Sequence, residues 1–196
     1  PKDAPKVYFF CDEFTNYNDA SIGIKAIELL HTLGYEVIIP FHLESGRTWL
    51  SKGLVRKAKK IANQNIELLS SLISASTPLI GLEPSAILTF RDEYPDLAID
   101  ENVAAAQHLA KHSFFIDEFL ASEMQAGNIT KDQFTDQAKS ILLHGHCQQK
   151  AVSSLSDTVK VLSFPTNFKV DTIASGCCGM AGSFGYEKEH YKVSMN

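Results

Sequence analysis

Apolar and polar residues alternate along this chain in two rhythms, one of short β-rich runs and one of longer amphipathic stretches. Residues 6–10 (KVYFF) read as a strand closed by the polar turn DEFTNYND. Asn18 or Asp19 is placed to cap a helix whose apolar face comprises Ile22, Ile24, Ala26, Ile27, Leu29 and Leu30, and Gly34 ends it. A strand over 35–40 follows. A long helical pattern then covers about 48–75, with Leu50, Leu54, Ala58, Ile61, Ala62, Ile66, Leu69 and Ile73 spaced for one buried face. PLIGL (78–82) reads as a third strand, and EPSAILTFRDEYP as a turn into a short helix stopped near Pro95. Residues 101–127 read as one or two helices and 128–139 as a polar connection. The rhythm then restarts: strand 140–144, helix about 149–157, strand 159–163, strand 169–174, and a helix opening near Gly179.

Strands alternating with helices predict an α/β fold, here two pseudo-repeated βαβ units with mainly parallel sheets flanked by helices. A recurring interval supports the duplication. Cys11 lies thirty residues before Phe41-His42, and Cys147 lies thirty before Cys177-Cys178. His42 precedes Gly46 by four residues, and Cys178 precedes Gly182 by four. The units divide as 1–100, a thiol-poor first repeat, 101–139, a helical connection, and 140–196, the second repeat. Parallel α/β sheets gather ligands at the carboxyl ends of their strands. Cys11, the 41–47 segment, Glu83, His146, Cys147, Cys177 and Cys178 all fall just after predicted strands.

Composition narrows the function classes. With 196 residues, 44% apolar residues and a net charge of −5, the chain suits a globular protein and lacks the basic excess of a nucleic-acid binder. No apolar run approaches the roughly 20 residues of a transmembrane helix, and PKDAPKVYFF does not fit a signal peptide. The expectation is a cytoplasmic, reducing compartment, where clustered cysteines serve metal or redox chemistry more often than disulfides. A start at Pro1 leads to the further expectation of a piece cut from a longer protein.

Two segments carry the chemistry, HGHCQQK (144–150) and SGCCGMAGSFGYE (175–187). Thiolate is a soft ligand suited to iron–sulfur clusters and zinc. A vicinal pair is awkward for one tetrahedral zinc, whereas a polynuclear cluster offers each sulfur its own iron. Gly176, Gly179, Gly182 and Gly185 would let backbone approach a bulky inorganic core. Three other readings stand beside this one. Cys147 and one of the pair could be small core residues. Cys147, Cys177 and Cys178 with His144 or His146 could hold a structural zinc. The Gly176-x-x-Gly179-x-x-Gly182 stretch could cradle an anion, although it matches neither dinucleotide nor phosphate-loop sequences. Cys11 reads as a packed residue first and a ligand second, and His42, His144 and His146 as candidate site residues. RTWLSKGLVRKAKK (47–60) holds six basic residues and no acid, a solvated face. Arg47 and Lys52 could instead offset cluster charge or guide an anionic hydroxy acid. Arg91-Asp92-Glu93 could pair with that stretch or form a capping network.

GCCGMAGSFGYE, with HGHC, His42-Leu43-Glu44-Ser45-Gly46-Arg47-Thr48-Trp49-Leu50-Ser51-Lys52-Gly53-Leu54 and EPSAILTFRDEY, resembles the cysteine-rich CCG domain over about residues 6–194. That domain is the iron–sulfur end of FAD-linked oxidases of the D-lactate, glycolate and D-2-hydroxyglutarate dehydrogenase type, and is related to the cysteine-rich subunit of heterodisulfide reductase. The resemblance implies a [4Fe-4S] cluster, with Cys147 as the single cysteine and Cys177 and Cys178 as the pair. It implies electron transfer from FAD in another domain, with flavin and ferredoxin-like iron–sulfur domains as partners and a peripheral membrane acceptor as a further candidate. The chain departs from the pattern in its first repeat, where Phe41-His42 stands for the pair and Glu83-Pro84-Ser85-Ala86 carries no thiol. In the second repeat the late cysteine motif should fall near position 222, judged from the 44 residues between His42 and Ala86. The expectation is a labile or absent cluster in these 196 residues.

Overall fold

The computed structural model describes residues 4–176 and 184–195. Strand β1 (Lys6–Phe10) leads through helices α1 (Glu13–Tyr17) and α2 (Ala20–Thr32) to β2 (Glu36–Ile38). Helices α3 (Arg47–Ser51) and α4 (Val55–Leu69) precede β3 (Leu79–Gly81). Helices α5 (Pro84–Ile87), α6 (Glu93–Leu97) and α7 (Val103–His112) lead to β4 (Ser113–Phe115) and α8 (Ile116–Ala126). The second unit comprises β5 (Lys139–Leu143), α9 (Cys147–Val152), α10 (Leu155–Leu162) and β6 (Phe168–Thr172), with α11 (Tyr191–Ser194) near its end.

The α/β expectation holds: all the described strand pairs in both sheets are parallel. The larger sheet runs β2-β1-β3-β4, and β5 pairs with β6 in the smaller. Phe9 and Phe10 point to opposite faces of β1, yet both are fully buried. Helices therefore cover both faces of the larger sheet, which is why β1 reads as an unbroken apolar run. Leu142 of β5 is 73% exposed, so the smaller sheet has one open face. Among the described residues, no helix is long and apolar enough to cross a membrane.

Several element boundaries differ from the sequence expectation, each for a local reason. The expected helix over 48–75 breaks at Gly53, whose left-handed φ of +71° separates α3 from α4. Pro95 lies inside α6 instead of stopping it. It is the third helical residue, where the backbone donates no intrahelical bond. The 101–127 stretch contains β4 between two helices, so it contributes an edge strand to the first sheet. The expected strand over 159–163 is helical, the end of α10, which packs on α8 and buries Thr158. Its valines favour strand locally, but tertiary packing overrides that weak preference. Ser154 ends the expected 149–157 helix by capping α10 through the Ser156 amide. On α2 the buried stripe is Gly23, Ala26 and Leu30, whereas Ile22, Ile24 and Leu29 face solvent. A Cβ on Gly23 would lie 2.8 Å from Thr15 Cγ2, so the missing side chain lets α1 and α2 close together.

Helix α10 packs on α8, and α9 packs on α5. Burial pushes the Asp117 carboxyl above its ordinary range, only partly offset by the Thr158 hydroxyl and reinforced by the Glu118 and Asp157 charges. The folded state thus holds the Asp117 proton more tightly than the unfolded chain. That contribution is full below the reference value of 3.8 and is lost as pH rises through the folded pKa. Asp117→Asn keeps a partner for Thr158 without the buried charge. Its stability relative to wild type is expected to improve from pH 3.5 to pH 7, read by urea unfolding at both values. A constant difference would refute this.

Candidate functional site at the strand ends

In the order β2-β1-β3-β4, successive connections leave β1 in opposite directions, so a crevice opens beyond the carboxyl ends of β1 and β3. Cys11 and Asp12 follow β1, and Glu83 follows β3. Asp12 is buried and caps α1, accepting from the Phe14 and Thr15 amides at 2.9 Å each and from Thr15 Oγ1 at 2.7 Å. Burial nevertheless raises its pKa, and the Glu83 charge adds to the rise. Cys11 is half-buried beside it, its thiol pushed up by burial and then by the Asp12 charge. Both effects oppose the thiolate that a metal would require.

The segment 41–47 is fastened by protein groups. Glu13 accepts from the Ser45 amide at 2.9 Å and from its hydroxyl at 2.7 Å. Asn65, buried on α4, accepts from the Leu43 amide at 2.8 Å and donates to Glu44 O and Tyr94 Oη at 2.9 Å each. Tyr94 Oη donates to Ser45 O at 3.0 Å. Gly46 turns the chain into α3 with φ +81°. His42 lies over Phe10, ring centroids 4.3 Å apart, with Nδ1 2.7 Å from Leu43 O, while Phe41 is exposed. Arg47 is hydrogen-bonded to Glu93, whose carboxyl burial still holds above its ordinary range despite that partner. Lys52 Nζ lies 2.8 Å from Glu187 Oε1, and Lys57 sits 3.1 Å over the Trp49 ring. The basic stretch is thus partly matched within the fold, and Glu93 of the 91–93 segment is among its partners.

In the second unit β5 and β6 run in register, Leu143 opposite Thr172, so both chains leave the sheet at one end. His144 Nε2 lies 3.3 Å from Gly176 O, which brings HGHC beside the backbone that leads into Cys177. Gly145 admits close packing: a Cβ there would lie 2.3 Å from Leu155 Cδ1. His146 caps α9, its Nδ1 accepting from the Gln148 amide at 3.2 Å, and Cys147 is the exposed first residue of that helix. His146 Nε2 is 3.6 Å from Glu83 Oε1, so strand ends of the two units face one another. Cys177, Cys178, Gly179 and Gly182 lie outside the described residues. Among the described residues no three His, Cys, Asp or Glu side chains are grouped to hold a metal ion.

The described donor of the second unit, the exposed Cys147 at the start of α9, is of a type that fits a thiolate-bound iron–sulfur group. The first unit does not fit one, because its single thiol is disfavoured as thiolate and its loop is committed to internal bonds. Sequence reading missed Asn65, Tyr94 and Glu13. Asn65 had a signal, since it falls four residues after Ile61 and four before Leu69 on the apolar stripe of α4.

No family model and no solved structure matches the chain significantly. Curated relatives match along nearly all of it. It is 27% identical to a D-2-hydroxyglutarate dehydrogenase of Escherichia coli K12 over 94% of this chain and 17% of that protein. It is 24% identical to one of the subunits of the anaerobic glycerol-3-phosphate dehydrogenase of the same organism, over 97% of this chain and 47% of that relative. Against lactate utilization protein A of an Exiguobacterium species it is 26% identical over 97% of this chain and 78% of that protein. The chain therefore spans under a fifth of the D-2-hydroxyglutarate dehydrogenase and about half of the glycerol-3-phosphate dehydrogenase component, and these two relatives are by name a dehydrogenase and a dehydrogenase subunit.

Proposed function

We propose that this chain is the iron–sulfur portion of a dehydrogenase acting on a small 2-hydroxy acid, passing electrons from a flavin in another domain toward an acceptor. One observation carries the reading. Parallel β5 and β6 end at the same side of their sheet, and beyond them the His144 side chain lies 3.3 Å, at Nε2, from Gly176 O, which links the segment preceding Cys147 to the segment preceding Cys177. That link supports the reading of thiols distant in sequence as one ligand set. The names of the relatives, two of them dehydrogenases or dehydrogenase components, agree with this role.

Cys147, Cys177 and Cys178 would hold a [4Fe-4S] cluster, which when bound supplies one-electron transfer. The surrounding chain would orient Cys147. His144 ties the two segments together through the Gly176 carbonyl, and the close fit of Leu155 on Gly145 leaves the HGHC turn little freedom.

Anaerobic reconstitution with iron and sulfide, on this chain extended past position 222, is expected to give acid-labile sulfide and charge-transfer absorbance. Both should fall several-fold in Cys147→Ser, because a hydroxyl is a poor ligand for this soft site. A product holding one zinc and no sulfide would replace the redox reading with a structural zinc module. Loading unaffected by Cys147→Ser would refute the ligand assignment.

A further inference from the structure

Glu83 belongs to the first unit, yet its side chain is directed at the second. Its backbone is extended, as the following Pro84 requires, and its Oε1 accepts from the Ser85 amide at 3.1 Å and hydroxyl at 2.7 Å. The carboxylate is therefore a fixed group on a rigid strand end, and the same Oε1 stands 3.6 Å from His146 Nε2.

His146 is hydrogen-bonded at Nδ1, and its Nε2 faces the Glu83 carboxylate at 3.6 Å. Nδ1 accepts from the Gln148 amide, so in the neutral ring the hydrogen sits on Nε2, the nitrogen facing Glu83. Its backbone is the cap of α9, and Cys147 is the next residue. The turn is fixed on two further sides, by Leu155 over Gly145 and by Gly176 O at His144. The contact from Glu83 adds a further side, and it comes from the first unit.

We infer that Glu83 is a positioning residue for Cys147, acting across the unit boundary through His146 and thereby setting where the thiol is presented. This rests on the reading of Cys147 as a ligand. Its chemistry is that of outer partners elsewhere, a carboxylate orienting a histidine that in turn orients the ligand set.

The test needs no iron. Alkylation of Cys147 by iodoacetamide in the metal-free chain is followed by peptide mass spectrometry, with Cys11 as internal reference. Asn at 146 can cap a helix as the histidine does but cannot reach Glu83, whereas Gln places an amide nitrogen near the position of Nε2. Glu83→Gln and His146→Asn are each expected to speed alkylation of Cys147 about threefold, and the double variant no further, the signature of coupled groups. His146→Gln should return toward the wild-type rate, and Cys11 should not change in the His146 single variants. Additive effects, no change at Cys147, or a wild-type rate in His146→Asn with a raised rate in His146→Gln would overturn the proposal. Sulfide content after reconstitution decides the cluster reading separately, so either can fail without the other.

Discussion

Replacing Glu118 by alanine is expected to cost about 3 kcal/mol of folding free energy, the low end for opening a buried ion pair. The carboxylate is the hub between the two units. Arg91 reaches it with both terminal nitrogens, at 2.9 and 2.7 Å, and Arg91 Nη2 also donates to Ser113 O at 3.0 Å. The Phe115 amide donates to it at 3.0 Å, closing the N-terminus of α8, and Ser153 donates from the end of α9. The Glu118 side chain is only 13% exposed, so alanine would leave a guanidinium and an amide short of partners. Burial alone would raise the Glu118 pKa, but the bonds from Arg91 and Ser153, the Arg91 charge and the Phe115 amide together bring it below the reference 4.5. Its stabilisation is therefore full above pH 4.5 and is lost as pH falls through the folded value. Urea unfolding should show a loss of about 3 kcal/mol for the variant at pH 7 and a smaller difference near pH 3. Because Ser153 belongs to the second unit, amide exchange in α9 and α10 should accelerate first. A loss below about 1 kcal/mol at pH 7 would place the joint in the class of surface ion pairs and refute the hub.

The dual sheet and its strand ends were legible because their signals are local. VYFF, PLIGL and SILL are short runs rich in apolar residues and bounded by polar turns, and each is read without any knowledge of contacts. β4 was hidden because three residues, Ser113–Phe115, sit between two helical patterns and shift neither period. The second valine-rich run failed for the opposite reason. Its β-branched residues suggest strand, but burial of Thr158 against α8 decides for helix. Apolar content also misled on α2, where Gly23 marks the buried stripe better than Ile22 does, since close approach selects for absence of a side chain. Site residues divide in the same way. The thiol segments are singled out by residue type and spacing alone. Glu83 and His146 meet only through the juxtaposition of two units 63 residues apart in sequence, a relation no window can show.

Asn65 on α4 illustrates how a polar residue on an apolar stripe sets the shape of a loop that it never joins in sequence. Its carboxamide has two kinds of partner, one amide hydrogen of the 41–47 segment and two acceptors, Glu44 O and Tyr94 Oη. Asn65→Leu keeps the volume and apolar character of the stripe but orphans the Leu43 amide and the Glu44 carbonyl. At about 1–3 kcal/mol for each buried group left unmade, the loss should be near 3 kcal/mol. The effect should also be local. The Leu43 amide should exchange with solvent at least tenfold faster, a change equivalent to about 1.4 kcal/mol. Amides of β1 should follow only the global loss. Asn65→Asp separates the two halves of the network, since one carboxylate oxygen can still accept from Leu43 while the other faces the Glu44 carbonyl as a second acceptor. It should protect the Leu43 amide better than leucine does, with its deficit growing as the carboxyl ionises. Equal exchange at Leu43 in wild type and Asn65→Leu would mean that Glu13 and Tyr94 hold the segment by themselves. The loop facing the crevice would then owe its form to α1 and α6, and α4 would serve only as packing.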